Sequence, residues 1–221
     1  MTEQTEVLSV TELEALLAQV NTSSPTGARN YALLLLMART GVRCGEALKV
    51  QTGDVRQEEW PGVTGRVWVL RLPRKATKGQ QDRQGIPLDA ATVAALRLWG
   101  KHREDLGLGS GHLFCTVSKG TREAGFSQDG GALVPGEPLN SRYVRELVAR
   151  LATKAGIGRR VHPHMLRHTA LTALYDKTQD LRLVQTVAGH TTSRMTERYT
   201  HVHPRALAEA MGAVPDDGRG E

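Results

Sequence analysis

Aromatic residues make up only 4% of this 221-residue chain, and there are just two cysteines. Cys44 and Cys115 lie far apart in the sequence. They form neither a disulfide framework nor a CxxC metal site. Long apolar runs are also missing. The longest, Ala32–Ala38, falls well short of the roughly 20 residues a membrane span needs and reads as a buried helix segment. The N-terminus, MTEQTEVLSV, has no basic stretch leading into an apolar core, so it is not a secretory signal. His162, His164, His201 and His203 make H-x-H pairs. Lacking cysteine or carboxylate partners at ligand spacing, they are not expected to hold zinc. No internal repeat is evident. These absences place the expected protein in the cytoplasm, with no membrane association, metal or cofactor.

The hydrophobic content, 39%, is enough for a packed core, and the net charge of +6 with a pI near 9.6 suits a polyanionic partner. Leucines at helical spacing over Ser9–Val20 predict a first helix, with Ser9 or Thr11 as N-cap. The stretch NTSSPTG breaks it, and a second, mostly buried helix is expected over about Arg29–Ala38. A short third helix over Val42–Val50 carries Arg43 and Glu46 at its start. Alternation in RVWVLRL, residues 66–72, predicts a strand, and a second short one falls at Gly85–Leu88, giving a hairpin of two or three strands. Helix is expected over Ala90–Lys101, a short strand over His112–Thr116, and a loop over Ser118–Pro138. Asn140 caps a helix running to about Ala155. Short helices over 164–176, 180–189, 192–199 and 204–211 complete the domain. The expected fold is α+β and mainly α, with a small antiparallel sheet, over residues 1–211. Residues 212–221 form a disordered tail.

The C-terminal third carries the densest chemistry: HPHMLRHTALTALYDKTQDLRLVQTVAGHTTSRMTERYTHV. His164 and Arg167 are three apart, so a helix sets them on one face. Leu166, Ala170, Ala173 and Leu174 fall on another and are expected to meet the core. Leu181, Val184 and Ala188 form a second apolar stripe, ended by Gly189 as C-cap. His190 follows directly, and Tyr199 comes nine residues later.

The pattern H-x-x-R, then G-H, then Y resembles box II of the tyrosine recombinases, the phage integrase family. TGVRCGEAL resembles the family's box I, with Arg43 and Glu46 at its arginine and acidic positions. ATKGQQDRQGIPL resembles its lysine hairpin and puts Lys78 at the lysine, with Lys75 as the alternative. The resemblance spans about Val7–Met211. It implies a catalytic domain that cuts and rejoins double-stranded DNA through a 3′-phosphotyrosine, assembling with other protomers on the DNA. Members usually carry a helical DNA-clamping domain ahead of the catalytic one. Box I starts about forty residues in and leaves no room for it, so a one-sided, salt-sensitive grip on DNA is expected.

The chemistry fits these residue types. Breaking a phosphodiester needs a nucleophile, a proton for the leaving 5′-oxygen, and fixed donors around the charged transition state. Arg43 and Arg167 suit the last task, since a guanidinium donates in a fork and keeps its charge. Tyr199 is the nucleophile and Lys78 the general acid. His164 assists proton transfer at Tyr199, His190 donates to a phosphate oxygen, and Glu46 orients Arg43 or His164. The rival readings are a type IB topoisomerase, which shares this chemistry, and a non-catalytic DNA-binding module of the same fold. A metal-dependent nuclease would need a paired Asp/Glu cluster that is missing.

Overall fold

Two of the helix starts are set by side-chain caps that the sequence makes plain. In the computed structural model, which describes residues 7–72, 85–117, 135–189 and 204–213, α1 (Val10–Ala18) is capped by Ser9, whose Oγ accepts from Glu12 N. The Glu12 carboxylate accepts from Ser9 N in return, closing a capping box. The helix α2 (Pro25–Thr40) begins earlier than expected. The Ser24 hydroxyl accepts from Gly27 N and Pro25 occupies the first turn. The Ser-Pro-Thr-Gly stretch that reads as a breaker is therefore a start signal, because proline at the first helical position gives up only an N–H that would be unpaired anyway.

Then come α3 (Cys44–Ala47), a 3₁₀ turn over Thr52–Asp54, and the strands β1 (Val55–Glu59), β2 (Arg66–Leu70) and β3 (Ile86–Pro87). They form one antiparallel sheet in that order, with Val55 opposite Leu70 and Leu70 opposite Ile86. The sequence reading missed β1 because VRQEE is almost wholly polar. An edge strand with charges on both faces has no apolar alternation to detect, and those charges discourage pairing with another chain. The strand expected over His112–Thr116 is instead two isolated bridges, Gln51 to His112 and Cys115 to Pro138.

The remaining helices are α4 (Ala90–Asp105), α5 (Ser141–Lys154), α6 (Pro163–Thr178), α7 (Leu181–Ala188) and α8 (Pro204–Ala210). Asn140 caps α5 as its sequence implies, its Oδ1 accepting from Tyr143 N at 2.8 Å. The chain is α+β and mainly α, as expected. None of the described helices is long and apolar enough to cross a membrane.

Alternation along β2 sorts the core into two clusters. Leu70 and Trp68 face the larger one, built on α2, α4, α5 and the start of α6. Val67 and Val69 point the other way, onto Trp60, Leu174, Leu183, Val187, Leu207 and Ala208. The second cluster holds α8, a seven-residue helix too short to persist by itself in water. Burying Leu207 is worth about 1.5–3 kcal/mol, and Lys177 Nζ donates to the carbonyls of Glu209 and Ala210 at 3.2 and 3.1 Å. Two details of the apolar stripes differ from expectation. Ala173 is exposed, and Leu181 is 58% exposed while Leu183 and Val187 turn inward. Helix α7 starts one turn after Thr178, so its phase is set by Asp180, which caps Arg182 N and Leu183 N.

A buried polar knot joins α2 to α5. The Arg29 guanidinium is fully buried and donates to Cys115 O at 2.9 Å, Tyr143 Oη at 2.7 Å and Asn30 Oδ1. A second strap ties the N-terminus to the segment before α6: Arg159 donates to Val7 O and to both Glu12 carboxylate oxygens. That guanidinium, with Ser9 N, holds the Glu12 carboxyl below the usual carboxylate range. A depressed folded value means stability that is present above the unfolded pKa and lost as pH falls through the folded one. We expect Glu12→Gln to lower the urea midpoint at pH 7, and the gap from the parent chain to narrow as the pH falls below the ordinary glutamate range, about 4.3. A gap of the same size at every pH would show that the pair adds nothing through its charge.

Candidate active site

The turn after α2 is where the site begins. Gly41 caps that helix in the left-handed region, φ 65°, which an L side chain rarely adopts. A Cβ there would also lie 3.0 Å from Leu171 Cδ2. This tight turn delivers Arg43 to the N-cap of α3. Arginine has no acceptor, so only the return half of a capping box can form. Glu46 supplies it, accepting from Arg43 N at 2.9 Å through one oxygen and from Arg43 Nη1 at 2.9 Å through the other. Glu46 is only 3% exposed and the Arg43 side chain 31%, so the carboxylate is sunk while the guanidinium reaches the surface. Of the two partners expected for Glu46, this geometry supplies Arg43.

Helix α6 brings the second arginine. Pro163 starts the helix and His162 stands at its N-cap without making a side-chain cap. Arg167 is 3% exposed, and its guanidinium donates to Gly41 O and, at 2.9 Å, to Ala188 O. One buried side chain thus pins the box I turn, α6 and the end of α7 together. Gly189, in the left-handed region at φ 61°, then ends α7 as expected. His164 is exposed on the same helix, its ring edge-on to His168 at 4.5 Å.

These residues share one cleft of about 300 Å³, lined by Arg43, Cys44, Ser141, Arg145, His162, Pro163, His164 and Arg167. Arg43, His164 and Arg167, picked out from distant parts of the sequence, meet there. Lys78, its alternative Lys75, His190 and Tyr199 lie outside the described residues, as do His201 and His203. Five lining residues carried no functional expectation: Cys44, Ser141, Arg145, His162 and Pro163. The first follows Arg43 in sequence. Ser141 and Arg145 are one turn apart on α5, a spacing that puts both on one face, but a polar helix face of this kind carries no signal of a site. Burial pushes the Cys44 thiol up, against the pull of the Ser141 hydroxyl and the Arg145 charge, so it is a neutral wall of the cleft.

Cations converging on an open pocket suit an anion with several oxygens, and a phosphodiester fits that description. Among the described residues, no group of three His, Cys, Asp or Glu is placed to hold a metal.

The double anchorage makes Arg167 a stability element as well. Lysine keeps the charge but offers one nitrogen on a differently shaped stem in place of the two, Nη1 and Nη2, that now reach Gly41 O and Ala188 O separately, and each buried acceptor left unpaired costs about 1–3 kcal/mol. We expect Arg167→Lys to lower the thermal midpoint by several degrees, while Arg43→Lys, which touches neither carbonyl, shifts it far less. Equal shifts in a calorimetric scan would show that the carbonyl anchorage is not what Arg167 contributes.

The sequence and the fold both find relatives. The model of the phage integrase family matches residues 6–205. Tyrosine recombinase XerC of Xanthomonas campestris pv. campestris is 32% identical over 198 residues, covering 90% of this chain and 52% of that protein. XerC of Corynebacterium efficiens is 32% identical over 183 residues, covering 83% and 49%. Among solved structures, XerH site-specific recombinase bound to palindromic difH substrate, a post-cleavage complex, superposes with a TM-score of 0.64 at 29% identity, covering 92% of this chain and 52% of that one. XerA recombinase gives a TM-score of 0.61 at 26% identity, covering 92% and 61%. The chain spans about half the length of the curated relatives it matches. A buried guanidinium that fastens box I to box II, inside a fold shared with these recombinases, has its explanation in descent: this chain belongs to the phage integrase family, the tyrosine recombinases.

Proposed function

We propose that this chain is the catalytic domain of a site-specific DNA recombinase that cuts and rejoins double-stranded DNA through a 3′-phosphotyrosine, without metal or ATP. The observation that carries this reading is the convergence of Arg43, His164 and Arg167 on one cleft, together with Ala188 O in the grip of Arg167. Ala188 lies two residues before His190, so the same anchor fixes where the segment bearing His190 and Tyr199 departs.

The reaction balances with side chains alone. Tyr199 Oη attacks the scissile phosphorus, and its proton passes to His164. The bond from phosphorus to the 5′-oxygen breaks, and Lys78 protonates that oxygen as it leaves. Arg43, Arg167 and His190 donate to the non-bridging oxygens, where charge accumulates in the transition state. Glu46 holds Arg43 in place and does not react. The phosphotyrosine keeps the energy of the broken ester, so a 5′-hydroxyl can attack it and restore a phosphodiester with no added cofactor. One tyrosine cuts one strand, so exchange between two duplexes calls for several protomers on the DNA. The support from relatives is direct at one point: XerH was captured on its difH substrate after cleavage. The site of action is DNA in the cytoplasm.

Two outcomes test the assignments that lie outside the described residues. On a duplex nicked near the scissile phosphate, the parent chain accumulates a covalent adduct in a denaturing gel, with EDTA present, whereas Tyr199→Phe binds the duplex and forms none. Equal trapping of the Phe variant would remove Tyr199 as nucleophile. For the general acid, Lys78→Ala loses cleavage of the ordinary ester and recovers on a 5′-bridging phosphorothiolate, whose sulfur leaves without a proton. Recovery by Lys75→Ala alone would move that role to Lys75.

A further inference from the structure

The cleft is larger than one phosphate requires. At about 300 Å³ it has the room of roughly ten liquid water molecules, and its α5 wall plays no part in the chemistry above. That wall carries Arg145. Its neighbours on the helix are spoken for differently: Arg142 pairs with Glu146 at 2.7 Å, an exposed i,i+4 bridge. Arg145 is exposed and forms no ion pair among the described residues. It is set instead on a cleft already holding the guanidinium groups of Arg43 and Arg167. Arg43 is paired with the Glu46 carboxylate.

Placing a third cation beside two others opposes folding, since like charges repel across the cleft. Such a cluster is relieved when a polyanion enters. The scissile phosphate is served by Arg43 and Arg167, from the α3 and α6 sides. Arg145 lines the cleft from α5, one helical turn after Ser141. Duplex DNA presents further phosphates along the same strand, each carrying one charge. We propose that Arg145 is a positioning residue that binds the phosphate adjacent to the scissile one, holding the strand in register so that the scissile group sits between Arg43 and Arg167. This rests on the recombinase reading for what the cleft binds. It adds a contact that the strand-cleaving chemistry does not itself require. The contact goes to backbone charge, so it carries no sequence preference.

The test couples the side chain to one phosphate. Duplexes carrying a single neutral methylphosphonate, walked over three positions on each side of the scissile phosphate, are titrated by fluorescence anisotropy across a range of salt, and adduct formation is timed on nicked versions of them. Arg145→Gln should weaken binding about tenfold, equally on cognate and scrambled duplex, and make the salt slope shallower by about 0.9. Arg145→Lys should restore most of that slope. The methylphosphonate next to the scissile position should cost the parent chain about as much as the Gln variant loses. It should cost that variant nothing further, while remote positions cost both proteins alike. An unchanged salt slope would overturn the proposal. So would losses that add fully at every position, or a loss confined to the cognate sequence, which would make Arg145 a base reader. The binding arm needs no cleavage. A chain that binds with this coupling but never forms an adduct would therefore refute the recombinase reading and leave the Arg145 contact standing.

Discussion

A single buried guanidinium sets the geometry on which the rest depends. Arg167 enters from α6 and donates to Gly41 O on one side and Ala188 O on the other. Those carbonyls end α2 and α7, the helices that lead into Arg43 and into His190. Both are C-terminal carbonyls, which lack intrahelical partners and carry the negative end of the helix dipole. An arginine is therefore well matched to them electrostatically. The side chain that fastens the scaffold also lines the cleft.

The same economy recurs elsewhere in the core. Arg29 donates to Cys115 O, and Arg103 to the carbonyls of Gly109, His112 and Leu113. Each of these buried arginines organises irregular backbone that regular hydrogen bonding leaves open. Where a carboxylate is used, at Glu46, the effect differs. The acid is buried and the arginine is half-exposed, so the pair aims Arg43 outward. Truncating Glu46 would leave Arg43 charged and unaimed, a loss of position more than of stability, since part-exposed pairs contribute little to folding.

Much of this was legible in the sequence, and the failures have physical reasons. The helix caps at Ser9 and Asn140, the C-cap at Gly189, and the β2 strand follow from local rules that tertiary packing did not override. The start of α2 was missed because proline and glycine break a helix inside it yet favour or tolerate its first turn. β1 was missed because an edge strand facing water keeps no apolar period. Within the site, Arg43, Glu46, His164 and Arg167 came from motif spacing, and all four stand at or beside one cleft. Arg145 could not be found this way. It lies on a polar helix face that looks like any solvated surface, and only the approach of α5 to α3 gives it a role. The face of α6 that carries Ala173 was misjudged for a related reason: alanine at helical spacing does not say whether anything packs on it.

The anchorage of α8 bears on the reach of Tyr199, the proposed nucleophile. Leu207 and Ala208 are buried against the sheet, and Lys177 closes the end of the helix. Tyr199 precedes Pro204 by five residues, and a chain spans at most about 3.3–3.6 Å per residue. The tyrosine is thus leashed within about 18 Å of where α8 begins, whatever path the intervening residues take. In the role proposed for Tyr199, a leash that short turns the attack into an intramolecular encounter, with an effective concentration set by covalent geometry and not by diffusion. Lengthening it by inserting residues between Tyr199 and Pro204 would dilute the nucleophile, and freeing α8 from the sheet would let the same tyrosine serve a neighbouring protomer's cleft.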